Sequence, residues 1–121
     1  MQLNKHDIID KTDITELVDQ FYTKVLENEI LKPHFKGLDF ASHKPKMVHF
    51  WSFVLLNEPG YTTNVFDKHK HLHIDKTHFA EWLRLFNQTV DDLFDGEKAN
   101  DVKSRATVLA WTFGEKMSSH L

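Results

Sequence analysis

Histidine and aromatic side chains are the groups in this sequence whose chemistry stands out. The chain of 121 residues has nine His, ten Phe, three Trp and two Tyr, and it has no Cys. The absence of Cys excludes disulfides, thiolate metal sites and cysteine nucleophiles. Imidazole binds zinc, copper, nickel and iron. The mixture therefore fits a dense aromatic core, a metal site or a pocket for a flat apolar cofactor.

The densest group of imidazoles is formed by His69, His71 and His73. In an extended chain the three side chains share one face, which is one way to build a zinc site. In a helix only His69 and His73 share a face. A zinc site usually needs three or four protein ligands, and a basic surface loop explains the same residues. At this point a metal site and a basic loop both stay open.

Three further polar or aromatic groups lie on or beside apolar helix faces. His43 comes four residues before Met47 and so lies at the edge of an apolar stripe. Tyr22 follows Phe21 closely enough for its hydroxyl to reach a pocket, and Trp82 is central on an inner face. The indole N–H of a buried Trp is a donor only and needs a partner. Each of these residues also has an ordinary explanation, as a boundary His, a half-buried Tyr and a core Trp.

Four helical segments are expected to position these groups, because apolar residues recur at helical spacing along almost the whole chain. Only 69–73 alternate as a strand would, so the predicted class is all-α. The apolar faces comprise Ile14, Leu17, Val18, Phe21, Val25 and Leu26; Met47, Phe50, Trp51, Val54 and Leu55; Phe79, Trp82, Leu83, Phe86, Val90, Leu93 and Phe94; and Val102, Ala106, Leu109, Phe113 and Met117.

Caps and helix breakers predict where these segments begin and end. Asp13 with Glu16 three residues later is typical of an N-terminal capping box. Pro45 is tolerated only in a first turn, which places the start of the second helix near Ser42. Pro33 with Gly37, and Glu58 with Pro59 and Gly60, predict breaks in the chain. The third helix is expected from Asp75, and Gly96 is expected to end it.

Size and charge narrow the class of protein further. A chain of this length fits one domain, predicted over 1–121. The net charge of −3 argues against nucleic acid as a partner, because binding to its backbone needs a basic surface. The first ten residues show no signal peptide, and no apolar run approaches the length of a membrane span. We therefore expect a cytoplasmic protein with no membrane association.

Several short sequence segments, taken in their order along the chain, resemble those of the truncated haemoglobins of the third group. They extend from about residue 12 to about residue 117, and the spacings from His43 to Trp51 and from His69 to Trp82 also fit. The chain lacks the Gly-Gly pairs that mark the other two groups. The matching segments are Phe21-Tyr22-Thr23-Lys24-Val25, Pro33-His34-Phe35, His43 to Met47 with Phe50-Trp51, His69-Lys70-His71-Leu72, Phe79, Trp82 to Asp91, and Arg105-Ala106.

The resemblance implies a truncated globin, a short helical sandwich around haem b. By residue-by-residue carry-over, His69 would be the proximal iron ligand, as in globins. On the distal, gas-binding side it implies Tyr22, His43 and Trp82. Near the macrocycle it implies Phe35, Met47 and Trp51, with Phe21 and Leu72 in support.

Two details stay open within this resemblance. The family often has Pro where this chain has His73, which leaves a spare imidazole near the proximal ligand, and His71 is also within reach. Lys44, Lys46 and Arg84 are only candidates for the basic residues that would contact the haem propionates.

The function implied is reversible binding of dioxygen and other diatomic gases, with release slowed by distal hydrogen-bond donors. Chemistry with oxygen, nitric oxide or peroxide would need an external reductase, since the chain has no GxGxxG motif. The resemblance assigns no catalytic residue and leaves enzyme activity open. The alternatives are a helical protein with a non-haem metal at the histidine cluster, which would be colourless, and a helical interaction module without a cofactor.

Overall fold

Five helices form all of the secondary structure in the residues that the computed structural model describes, which are 5–35, 40–56 and 76–119. Side chains at 40, 113 and 116–119 lie outside this description. No helix within these ranges has the length and apolar character needed to span a membrane. The predicted all-α class is confirmed. The helices are α1 (Lys11–Glu27), α2 (Lys32–Phe35), α3 (Phe40–Leu56), α4 (Lys76–Leu93) and α5 (Glu97–Ser119).

The core forms where the apolar faces of these helices meet. Helix α1 packs against both α3 and α4, α4 pairs most extensively with α5, and α2 lies on α1. The described parts of the predicted faces turn inward except at Leu26, which was predicted on the face of α1 but is 41% exposed at the end of that helix. Val90 of α4 and Val102 of α5 are fully buried. Burial of such apolar surface is the main force that holds helices this short together.

The start of α1 lies three residues earlier than the sequence pattern predicts. Asp10 is the N-cap, and its Oδ1 accepts a hydrogen bond from the backbone N–H of Asp13 at 3.2 Å. Asp13 is the third helical residue, and its Oδ2 accepts from the N–H of Ile9 at 2.9 Å. The two aspartates thus satisfy N–H groups reciprocally. The prediction that Asp13 caps α1 was wrong because Asp13 is the second half of this arrangement.

The two prolines of the described chain also shift helix boundaries. Pro33 is the second residue of α2, a single turn that the sequence did not predict, and a first turn tolerates Pro. Helix α3 begins at Phe40, earlier than the expected start near Ser42, so that Pro45 lies in its second turn. Pro45 there cannot donate a hydrogen bond to the carbonyl four residues before it.

An aspartate from the N-terminal segment caps the last helix. The carboxylate of Asp7 accepts hydrogen bonds from the backbone N–H groups of Lys98, at 2.9 Å, and Ala99, at 2.8 Å, in the first turn of α5. Gly96 has φ +149°, and a Cβ there would lie 2.4 Å from the Asp7 Cγ. Glycine is therefore required for this close approach. The contact joins the N-terminal segment to the start of α5.

We expect Asp7→Ala to lower the free energy of unfolding at pH 7 by about 1–2 kcal/mol, the usual cost of losing a helix cap. Burial raises the pKa of Asp7, but hydrogen bonds from Lys98, Ala99 and Ile8 outweigh it, and the pKa lies below its ordinary value. The stabilisation is thus present above the unfolded-state pKa and is lost as pH falls through the folded-state pKa. Urea titrations at several pH values measure it.

The exposed Asp95, next to the same helix start, provides the control for this prediction. Asp95→Ala should change stability much less than Asp7→Ala. Equal losses from the two variants would show that general charge, and not the Asp7 cap, stabilises α5.

Candidate functional site

The polar centre of the candidate site is a contact between Tyr22 of α1 and His43 of α3. The phenol oxygen of Tyr22 lies 2.8 Å from Nε2 of His43, and the two rings meet edge to face with centroids 5.3 Å apart. Tyr22 is only 5% exposed, and burial raises the pKa of its hydroxyl, so that the group stays protonated and can donate. Neutral imidazole at Nε2 accepts in one tautomer and donates in the other.

A stack of three aromatic rings lies beside this pair. Trp82 and Phe86, one turn apart on α4, stack with centroids 5.3 Å apart and planes only 10° from parallel. Phe86 stacks in turn on Trp51 of α3, at 5.0 Å and 26°. Offset ring stacks of this kind stabilise beyond the area that they bury. The stack fixes the plane of the Trp82 indole.

Phe21 connects the ring stack to the polar pair. Its ring meets Trp82 edge to face at 5.6 Å, Phe86 at 5.4 Å, and its neighbour Tyr22 at 5.2 Å. Phe35 of α2 packs on the other side of Tyr22, with centroids 6.1 Å apart. Tyr22, His43 and Trp82, which the sequence predicted on one side of a pocket, are thus linked through shared aromatic contacts.

The indole N–H of Trp82 is the third polar group of the site. Trp82 is half-buried, and within the described part of the chain its N–H donates to no protein group. A half-buried donor usually finds an acceptor. The indole N–H is therefore a third candidate donor of the site, beside the Tyr22–His43 pair.

The remaining predicted site residues divide into two groups. Met47 is half-buried and packs on the core, and Trp51 and Phe35 are buried, at 4% and 7% exposure. His69 and Leu72 lie outside the described residues, as do His71 and His73, so the proximal side and the alternative metal cluster stay predictions. Within the ranges that are described, no three His, Asp or Glu side chains are grouped as a metal site.

The candidates for propionate contacts are partly engaged by the protein itself. Lys44 pairs with Asp19 at 3.2 Å, and Lys46 is exposed. The guanidinium of Arg84 donates to the carboxylate of Glu81 from Nε at 2.8 Å and from Nη2 at 2.6 Å. A role for Arg84 at a haem edge would compete with this bidentate pair.

Glu81 also fastens α4 to the turn after α1. Its carboxylate accepts from the amide of Asn28 at 2.5 Å, and Asn28 Oδ1 accepts from the N–H groups of Ile30 and Leu31, at 3.0 Å each. Hydrogen bonds from Arg84 and then Asn28 lower the pKa of Glu81 to about 2. Because Trp82 is the next residue, this clamp helps to hold the start of the ring stack.

We expect Glu81→Gln to reduce stability at neutral pH, with the difference from the natural protein closing as pH falls from about 4.5 to about 2. The sign follows from the lowered pKa, because the carboxylate stabilises the folded state only while it is charged. Unfolding free energies measured across this range test it. Glu27→Gln, at an exposed position at the end of α1, is the control. A gap that stays constant with pH would contradict the assigned role of the charge.

Two features of the site escaped sequence reasoning. Phe86 was placed on an inner face, but its position between two tryptophans was not predicted, although its spacing of four from Trp82 is the one that brings helical neighbours together. The clamp between Asn28 and Glu81 joins residues 53 apart in sequence, and no local pattern indicates it.

The donor set and its surroundings fit haem and a small polar ligand. The wall is aromatic and buried, and three polar groups interrupt it: the Tyr22 hydroxyl, the His43 imidazole and the Trp82 indole. A largely apolar site with a few placed donors is typical of cofactor and gas pockets.

Comparisons with known proteins agree on one family. The model of the bacterial-like globin family matches residues 6–112. A curated relative, the group 3 truncated haemoglobin of Campylobacter jejuni, is 30% identical over 116 residues, which cover 90% of this chain and 91% of that protein. The crystal structure of group III truncated haemoglobin from Campylobacter jejuni matches with a TM-score of 0.85 at 29% identity, covering 94% of this chain and 95% of that one.

Proposed function

This chain belongs to the bacterial-like globin family as a truncated haemoglobin of the third group, and we propose that it binds haem b and retains dioxygen tightly. As a globin it binds haem and diatomic gases. The finer proposal concerns how this chain treats the gas. A pocket with several hydrogen-bond donors favours reaction, sensing or scavenging over bulk delivery, because a carrier must release its load.

The observation that carries this proposal is the Tyr22–His43 pair beside the ring-stacked Trp82. Haem, which His69 would hold, would supply an iron that binds a diatomic gas and gives it partial negative charge. The Tyr22 hydroxyl and the Trp82 indole would donate hydrogen bonds to that charge. Each hydrogen bond to a charged group contributes about 1.5–3 kcal/mol.

The tautomer of His43 determines whether the hydroxyl hydrogen of Tyr22 can be donated to the gas. If Nε2 of His43 accepts, the single phenol hydrogen is directed at His43. If Nε2 carries the proton, it donates to the phenol oxygen, and the phenol hydrogen can turn to the gas. We infer that His43 acts in this second form when dioxygen is bound, so that Tyr22 and Trp82 donate together.

The proximal assignment rests on the family pattern. We propose His69 as the ligand of the haem iron, with Phe21, Phe35, Met47, Trp51 and Leu72 against the macrocycle. The burial of Phe21, Phe35 and Trp51 supports this placement. Reactions with nitric oxide or peroxide would draw electrons from a separate reductase, which we propose as the protein partner.

Absorption spectra test the cofactor and the proximal ligand together. The purified protein, ferric and then reduced with dithionite, should show a strong Soret band that is lost or markedly altered in His69→Ala. His71→Ala and His73→Ala are the matched controls and should keep the natural spectrum. A Soret band unchanged by His69→Ala but altered by one of the controls would move the proximal ligand to that residue. A colourless protein that refuses added haemin would overturn the proposed function.

A further inference from the structure

Two histidines outside the distal pair face each other between α2 and α4. Nε2 of His34, in the single turn of α2, lies 3.1 Å from Nε2 of His78, in the first turn of α4. Their ring centroids are 4.6 Å apart, and the ring planes cross at 81°. Both residues are half-buried. They are 44 residues apart in sequence, so tertiary packing alone brings the two nitrogens together.

The positions of the two rings do not fit a head-on hydrogen bond. A linear N–H···N hydrogen bond at the observed nitrogen distance would place the centroids about 5.3 Å apart, since each centroid lies about 1.1 Å behind its nitrogen. The observed 4.6 Å is shorter. The rings are therefore tilted away from a head-on contact, as two ligands of one metal ion would be.

Two imidazoles that bind one metal ion have a similar distance between their coordinating nitrogens. With metal–nitrogen bonds of about 2.0–2.1 Å, the two coordinating nitrogens lie about 2.9 Å apart when the N–metal–N angle is a right angle. They lie about 3.4 Å apart when the coordination is tetrahedral. The observed 3.1 Å falls between these values. Two neutral imidazoles on one metal would also remove the need for one ring to donate to the other.

We propose that His34 and His78 are two ligands of a binding site for a divalent transition metal of the copper and zinc class. Imidazole suits these metals, and at a given nitrogen site copper binds more tightly than zinc. Among the described residues, no third His, Asp or Glu side chain is grouped with these two.

The site is placed to affect the distal pocket. Helix α2 has only four residues, and Phe35, which follows His34, packs on Tyr22. On α4, Trp82 lies one turn after His78. A metal that ties α2 to α4 fixes the supports of both distal donors. This consequence rests on the proposed function, whereas metal binding itself does not.

Calorimetric titration of the haem-loaded protein with zinc chloride tests the site. We expect one zinc-binding step that is weakened at least about tenfold in both His34→Gln and His78→Gln, since loss of a ligand costs no less than loss of its outer-shell support. His6→Gln, at an exposed histidine packed against Phe94, is the matched control and should bind zinc as the natural protein does. Zinc should raise the Tm of the natural protein and of this control only.

Absence of zinc binding would overturn the proposal, and so would a zinc-binding step unchanged by His34→Gln and His78→Gln, which would assign it to other histidines. An unaltered Soret band during the titration shows that zinc leaves the haem in place. If either variant fails to fold, modification of the natural protein by diethylpyrocarbonate decides. Zinc must protect His34 and His78 together, as read from peptide masses, and equal modification with and without zinc contradicts the site.

Discussion

Replacement of Trp82 by Phe should speed the release of dioxygen by about tenfold to a hundredfold. A hydrogen bond to a charged acceptor contributes about 1.5–3 kcal/mol, and each 1.4 kcal/mol is about a factor of ten in rate. Stopped-flow displacement of dioxygen measures the release rate directly. The ring of Phe can keep the stack on Phe86, so the variant removes the N–H and little else.

Tyr22→Phe should also speed release, but by a smaller factor than Trp82→Phe. The Tyr22 hydroxyl contacts Nε2 of His43, whereas the Trp82 N–H has no acceptor in the described protein. Without the hydroxyl, Nε2–H of His43 can donate a hydrogen bond to the gas. That bond would replace part of the stabilisation of bound dioxygen that Tyr22 supplied. The two distal donors therefore differ in how well the pocket can replace them.

Trp111→Phe is the matched control, because it makes the same change at a Trp that is 70% exposed and lies outside the ring stack. Its release rate should stay near that of the natural protein. The effects of Tyr22→Phe and Trp82→Phe should not add, since both donors share one acceptor. Rapid release that neither distal variant alters would contradict tight retention of dioxygen by this pocket.

The helical faces could be predicted from the sequence because their burial follows a local period. Val102 and Ala106 lie one turn apart on α5, and both are 0% exposed, as is Val90 on α4. Tyr22, His43 and Trp82 could be grouped only through a family resemblance, since each alone has an ordinary structural explanation. Neither the helical period nor the family resemblance predicted that Phe21 connects them.

Contacts between distant segments could not be predicted from the sequence. Asp7 caps a helix 91 residues away, and His34 meets His78 across 44 residues. The start of α1 was misplaced for a related reason. Asp10 and Asp13 are both able to cap, and only the packed structure shows which one begins the helix.

Phe86→Ala should lower the free energy of unfolding by about 3–5 kcal/mol, the range for removing a buried Phe ring. Phe86 is 1% exposed and lies between Trp82 and Trp51, so its loss leaves a cavity lined by two large rings that are each held from other sides. Chemical unfolding measures the loss. Phe53→Ala, on a Phe that is 41% exposed, makes the same change at the surface and should cost much less.

Phe86→Leu separates stability from pocket geometry. Leu fills most of the volume but offers no flat face to Trp82, so the indole should lose its fixed plane while the protein stays folded. We therefore expect faster dioxygen release in Phe86→Leu although Trp82 and Tyr22 are both present. Combined with Trp82→Phe, the second change should add little, because the donor that Phe86 positions is already gone. Full additivity of the two changes would show that Phe86 acts on the gas by another route.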